Sequence, residues 1–106
     1  MLREEKELKE LKEILQGLLG DRMLRITLFG SRARGDYSND SDIDVAIIVR
    51  GLTRELKNKI LDRVAEIELK YLTPLSTFVL SEDEFNHLRK KERRIALDIE
   101  REGVPL

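Results

Sequence analysis

The sequence predicts an α/β domain: a small mixed β-sheet of about three strands packed with helices. Three observations lead there. Leucines recur at three- and four-residue steps near the N-terminus. Three short apolar runs, rich in β-branched residues, follow at 24–29, 43–49 and 74–80. A helix-periodic stretch connects the last two runs, as a crossover between parallel strands requires.

Each predicted element has its own signal. Leu8, Leu11, Leu15 and Leu18 mark one helix face, with Ile14 and Leu19 beside them, and Gly20 can end that helix. Leu24, Ile26 and Leu28 alternate along the first strand, which runs directly into Gly30-Ser31. Residues 32–41 hold the turn formers Gly35, Asp36, Ser38, Asn39, Asp40 and Ser41. Ile43 to Val49 reads as a buried strand rich in β-branched residues, and Gly51 breaks it. From Thr53 to about Tyr71, Leu56, Ile60, Val64 and Ile67 keep helical spacing, and Tyr71 is expected to close the core end of that helix. Pro74 is tolerated at the start of the third strand, which continues to Leu80. Ser81 and Glu84 have capping-box spacing, and Leu88, Ile95 and Ile99 put a sparse apolar stripe on one last helix that ends at Gly103 and Pro105. A three-stranded sheet covered by helices follows, with the direction of the first strand left open.

Composition narrows the function classes. The 106 residues suit one domain, 1–106, without linker or repeat. Charged residues make up 39% against about 25% in an average domain, yet the net charge is only −1. Non-specific binders of duplexes carry a positive excess, so direct binding to nucleic acid is not expected. With no cysteine, disulfides, thiolate catalysis and zinc–thiolate sites are excluded. The charged start Met1-Leu2-Arg3-Glu4-Glu5-Lys6 is unlike a signal peptide, and the longest apolar run, Val45 to Val49, cannot span a bilayer. A cytoplasmic location, away from membranes, is the expectation.

The chemistry concentrates in Gly30-Ser31, ten residues, then Asp42-Ile43-Asp44. Side chains alternate along a strand, so two aspartates two positions apart share a face. Held that close they repel, and a divalent cation removes the repulsion. Oxygen ligands without sulfur favour Mg²⁺, which binds one or two carboxylates together with substrate phosphates. Gly30 lets a phosphate approach the backbone, and the Ser31 hydroxyl with nearby amides can donate to phosphate oxygens. Arg32 and Arg34 add positive charge beside them. Taken singly, an Asp-x-Asp or a Gly-Ser is more often a turn, and an isolated arginine a solvated charge. The combination is what points to a phosphate and metal site.

The stretch from Gly30 to Val45, GSRARGDYSNDSDIDV, resembles the signature of the DNA polymerase β nucleotidyltransferase superfamily. Its ten-residue spacer and the small size of the chain resemble the minimal, or MNT, branch, and the ending IEREGVPL is similar to the close of those domains. The resemblance implies the polymerase β-like fold. It assigns Gly30, Ser31, Arg32, Arg34 and Ser41 to the nucleotide, and Asp42 and Asp44 to catalysis through two Mg²⁺ ions. An acceptor hydroxyl would attack the α-phosphate of ATP or another nucleoside triphosphate, and pyrophosphate would leave. MNT proteins are commonly paired with a HEPN-domain toxin. The resemblance therefore implies an antitoxin that places AMP on a toxin tyrosine. Transfer to a small molecule, as in aminoglycoside-modifying relatives, would need more structure after the third strand.

In one respect the sequence departs from that superfamily. Its third carboxylate belongs on the strand after the crossover helix, but Pro74 to Leu80 contains no Asp or Glu, and Ser76 or a neighbour takes the expected place. Either catalysis is lost and a nucleotide- or toxin-binding module remains, or the acceptor needs less activation. A tyrosine, with a pKa of about 10, is such an acceptor. Glu68, Glu82 and Asp83, outside the strand, are expected at the solvated surface. His87 and the basic run 89–94 are also assigned to the surface. Tyr37 lies in the turn, where it could flank the nucleotide or pack.

Overall fold

The computed structural model describes residues 5–30, 33, 35 and 42–106. Helix α1 (Glu5–Leu19) leads through a 3-10 turn at Gly20–Arg22 into β1 (Met23–Phe29). After β2 (Ile43–Val49) come α2 (Arg54–Tyr71), β3 (Leu75–Ser81), α3 (Glu82–Lys90), α4 (Arg94–Glu102) and the short β4 (Val104–Pro105). The strands form one mixed sheet in the order β3-β2-β1-β4. β2 runs antiparallel to β1 and parallel to β3, so α2 is the crossover.

The central strand explains the layering. Alternation sends Ile43, Val45, Ile47 and Val49 into one core, with Leu8, Leu11, Leu15 and Leu19 of α1 and Ile60, Val64 and Ile67 of α2. Ala46 and Ile48 point the other way and meet Phe29, Phe85 of α3, and Ala96 and Ile99 of α4. β2 is thus covered on both faces, which is why its sequence is apolar throughout from Val45 to Val49.

Local signals fix the helix ends. The Thr53 hydroxyl accepts from Leu56 N at 3.1 Å and starts α2. Leu72, in the left-handed region at φ 53°, ends it. Ser81 and Glu84 form a reciprocal capping box, both bonds at 3.0 Å, at the head of α3. Glu68, expected among solvated charges, is instead half-buried: its carboxylate accepts from Leu75 N at 3.0 Å and ties the end of α2 to the first residue of β3.

Three further features depart from the sequence reading. The sheet gains a fourth strand, because Val104–Pro105 pairs with Leu28 and Thr27 and Leu106 N donates to Ile26 O. The one expected last helix is two. Glu92 adopts φ 52° and breaks it, Arg93 N donates to Leu88 O, and the chain turns so that both Phe85 and Ile99 reach the sheet. Leu24 does not join Ile26 and Leu28 on their face. The β1–β2 register shifts between Met23 and Arg25, leaving Leu24 36% exposed while Met23 packs on the core. No helix among the described residues is long and apolar enough to cross a membrane.

Candidate functional site

β1 and β2 deliver the two halves of the predicted motif to the same end of the sheet. Phe29, the last residue of β1, is the register partner of Asp44, the second residue of β2. Gly30 follows at φ +75°, a conformation that disfavours any side chain. Space forbids one as well, since a Cβ on Gly30 would overlap the Asp44 carboxylate. Gly30 is therefore packed against that carboxylate. Asp44 is half-buried, whereas Asp42, one residue before β2, is exposed.

The other neighbour of Asp44 is Ser76 of β3, its partner in the parallel register. Ser76 thus stands where the sequence placed the missing third acid. Ser31, Arg32, Arg34 and Ser41, assigned to the nucleotide, lie outside the described residues, as does Tyr37.

A pocket of about 550 Å³ opens beside Asp44, lined by Phe29, Gly30, Asp44, Phe78, Arg94, Ile95 and Asp98. Its floor is aromatic and aliphatic: the Phe29 and Phe78 rings meet edge to face, centroids 5.5 Å apart. On the α4 side, Arg94 Nε lies 3.8 Å from Asp98 Oδ2, one helical turn away. Sequence reasoning overlooked Asp98 and treated Arg94 as part of a basic surface run. The available signal was weak. Asp98 is three residues after Ile95 and next to Ile99, so it borders the buried stripe of α4.

The site's described donors to a metal would be the carboxylates of Asp42 and Asp44, hard oxygen ligands near a glycine turn. Among the described residues, no group of three or more His, Asp or Glu side chains gathers as a ready-made cage. His87 is exposed on α3 and Arg89 pairs with Glu100 at 3.2 Å, in keeping with surface roles.

Comparison with known proteins places the chain in one family. The family described as "Nucleotidyltransferase domain" matches residues 8–102. Two candidate protein adenylyltransferases of Methanocaldococcus jannaschii are similar in sequence. One is 43% identical over 65 residues, 60% of this chain and 66% of its own length. The other is 38% identical over 85 residues, 80% of this chain and 81% of its own length. In structure, a candidate nucleotidyltransferase from Sulfolobus solfataricus superimposes with a TM-score of 0.60 at 24% identity, covering 94% of this chain and 76% of that one. The mixed sheet with helices on both faces is shared with that structure and is the polymerase β-like arrangement. With its family match running from α1 to the end of α4, the chain belongs to the nucleotidyltransferase domain family, as a minimal nucleotidyltransferase domain.

Proposed function

We propose that this domain is a Mg²⁺-dependent protein adenylyltransferase that transfers AMP from ATP to a tyrosine hydroxyl of a HEPN-domain toxin, and so acts as an antitoxin. The observation that carries the reading is the packing of the Asp44 carboxylate against Gly30, where the end of β1 meets the start of β2. The candidate protein adenylyltransferases among its relatives support a protein as the acceptor.

In this reading Gly30 and the turn after it receive the triphosphate, and Asp42 and Asp44 hold the metal. Bound Mg²⁺ would neutralise charge on the phosphate oxygens and on the leaving pyrophosphate. The acceptor oxygen attacks the α-phosphorus, the bond from that phosphorus to the pyrophosphate oxygen breaks, and the acceptor proton is released. Ser76 supplies no base beside Asp44, and a phenol tolerates this better than an alkyl alcohol because its hydroxyl ionises more easily.

Transfer from ATP labelled at the α-phosphate tests the proposal. With Mg²⁺ and the HEPN protein, label should appear on the partner with the wild-type chain and not with Asp42→Asn/Asp44→Asn. A complex that forms tightly with both versions and carries no label would refute transfer, and would favour a module that neutralises its partner by contact.

A further inference from the structure

We propose that Asp98 of α4 replaces the acid missing from β3 and takes the proton of the acceptor hydroxyl, with the acceptor ring seated on the Phe29–Phe78–Ile95 floor. This rests on the proposed function and assigns a residue and a subsite within it.

Four observations converge. The position beside Asp44 on β3 is Ser76, which cannot act as a carboxylate base. Asp98 lines the same pocket as Asp44, but from α4 rather than from the sheet. That pocket has a floor of two edge-to-face phenylalanines and Ile95, a surface on which a planar aromatic side chain packs well. Asp98 also stays accessible. It is 30% exposed, and its one described partner, Arg94, is 93% exposed and 3.8 Å distant, a loose pair that a substrate can displace at little cost. An acceptor seated over the phenylalanines brings its hydroxyl into the pocket that Asp44 and Asp98 both line.

The step balances with groups already named. The phenol oxygen forms a bond to the α-phosphorus of ATP, and the α-phosphorus–oxygen bond to pyrophosphate breaks. The phenol proton goes to the Asp98 carboxylate and then to solvent.

The test measures labelled AMP transfer to the acceptor protein together with binding of a fluorescent ATP analogue. Asp98→Asn should lower kcat on the order of a hundredfold, while KM for ATP and affinity for the analogue stay within about twofold of wild type, a change of at most about 0.4 kcal/mol. Adding Ser76→Asp to Asp98→Asn should restore at least a tenth of the wild-type rate by returning a carboxylate to the β3 side. If Asp98→Asn melts below the assay temperature, Asp98→Ser is read in the same way. A wild-type kcat in Asp98→Asn would overturn the inference and leave adenylylation standing. Equal losses of kcat and nucleotide affinity would overturn it too, by placing Asp98 in nucleotide binding. No label from the wild-type chain would overturn the proposed function, and this inference with it.

Discussion

Gly30 and Asp44 occupy one another's space. A Cβ on Gly30 would overlap the Asp44 carboxylate, and the backbone at φ +75° already excludes side chains on conformational grounds. Two costs therefore coincide in Gly30→Ala. The left-handed backbone costs about 1–2 kcal/mol for an L-residue, and the carboxylate must move as well. Gly30→Ala is expected to lower the melting temperature by several degrees and, in the same protein, to weaken Mn²⁺ binding measured by calorimetry. A variant that melts lower yet binds Mn²⁺ as wild type does would show that Asp44 tolerates displacement.

That relationship was half legible in the sequence. Gly30 was marked by its place after an apolar run, and Asp44 by its partner Asp42 and the buried strand behind it. Helices α1 and α2 were equally readable, since Leu8, Leu11 and Leu15 and then Ile60, Val64 and Ile67 are buried where their spacing puts them. What stayed hidden depends on non-local contact. Two residues, Val104–Pro105, are too few to show a strand period. The break at Glu92 was masked because Leu88 and Ile95 are seven apart, a spacing that a continuous helix also satisfies. Asp98 comes to the pocket only because α4 folds back across the ends of β1 and β2.

The α1–α2 contact has a pH signature. Lys70 Nζ donates to Glu10 Oε1 at 2.7 Å, and the Tyr71 hydroxyl donates to the other oxygen of the same carboxylate. The Lys70 hydrogen bond first, and the Tyr71 bond second, hold the Glu10 carboxyl below its ordinary 4.5. The same carboxylate pushes Lys70 above 10.5 and Tyr71 above 10.0. A depressed acid stabilises the fold above its unfolded pKa, and this is lost as pH falls through the folded value. The raised Lys70 and Tyr71 contribute below their unfolded pKa values and lose this as pH rises through the folded ones. Glu10→Gln should therefore lower the melting temperature near pH 7, with the difference from wild type shrinking below about pH 4. Thermal melts across pH check this, and a difference that stays constant into acid would refute it.

Thr27 is 2% exposed on β1, and its hydroxyl has no hydrogen-bond partner among the described residues. A buried unpaired hydroxyl costs about 1–3 kcal/mol of desolvation. Valine has nearly the same shape and equal strand preference. Thr27→Val is expected to leave stability unchanged or raise it by about 1 kcal/mol. Denaturant unfolding should show an equal or higher midpoint with an unaltered slope.

Gly103 makes the final turn possible. It follows α4 at φ −66°, so its need for glycine is spatial: a Cβ there would press on the Ile99 carbonyl oxygen and on Thr27 Cγ2. Gly103 N also donates to Ile99 O at 3.2 Å, which closes the helix end and delivers Val104 to its place beside Leu28. Alanine would force α4 away from β1, with an overpacking cost of about 1–3 kcal/mol. Because Asp98 and Ile99 are neighbours on α4, the same shift would displace Asp98 in the pocket it lines with Asp44. Gly103→Ala should therefore reduce both the melting temperature and AMP transfer. Amide exchange would locate the damage in α4 and β4, with α2 protected as in wild type. Uniform loss of protection across α2 and α4 would instead show that the two faces of the sheet unfold as one unit.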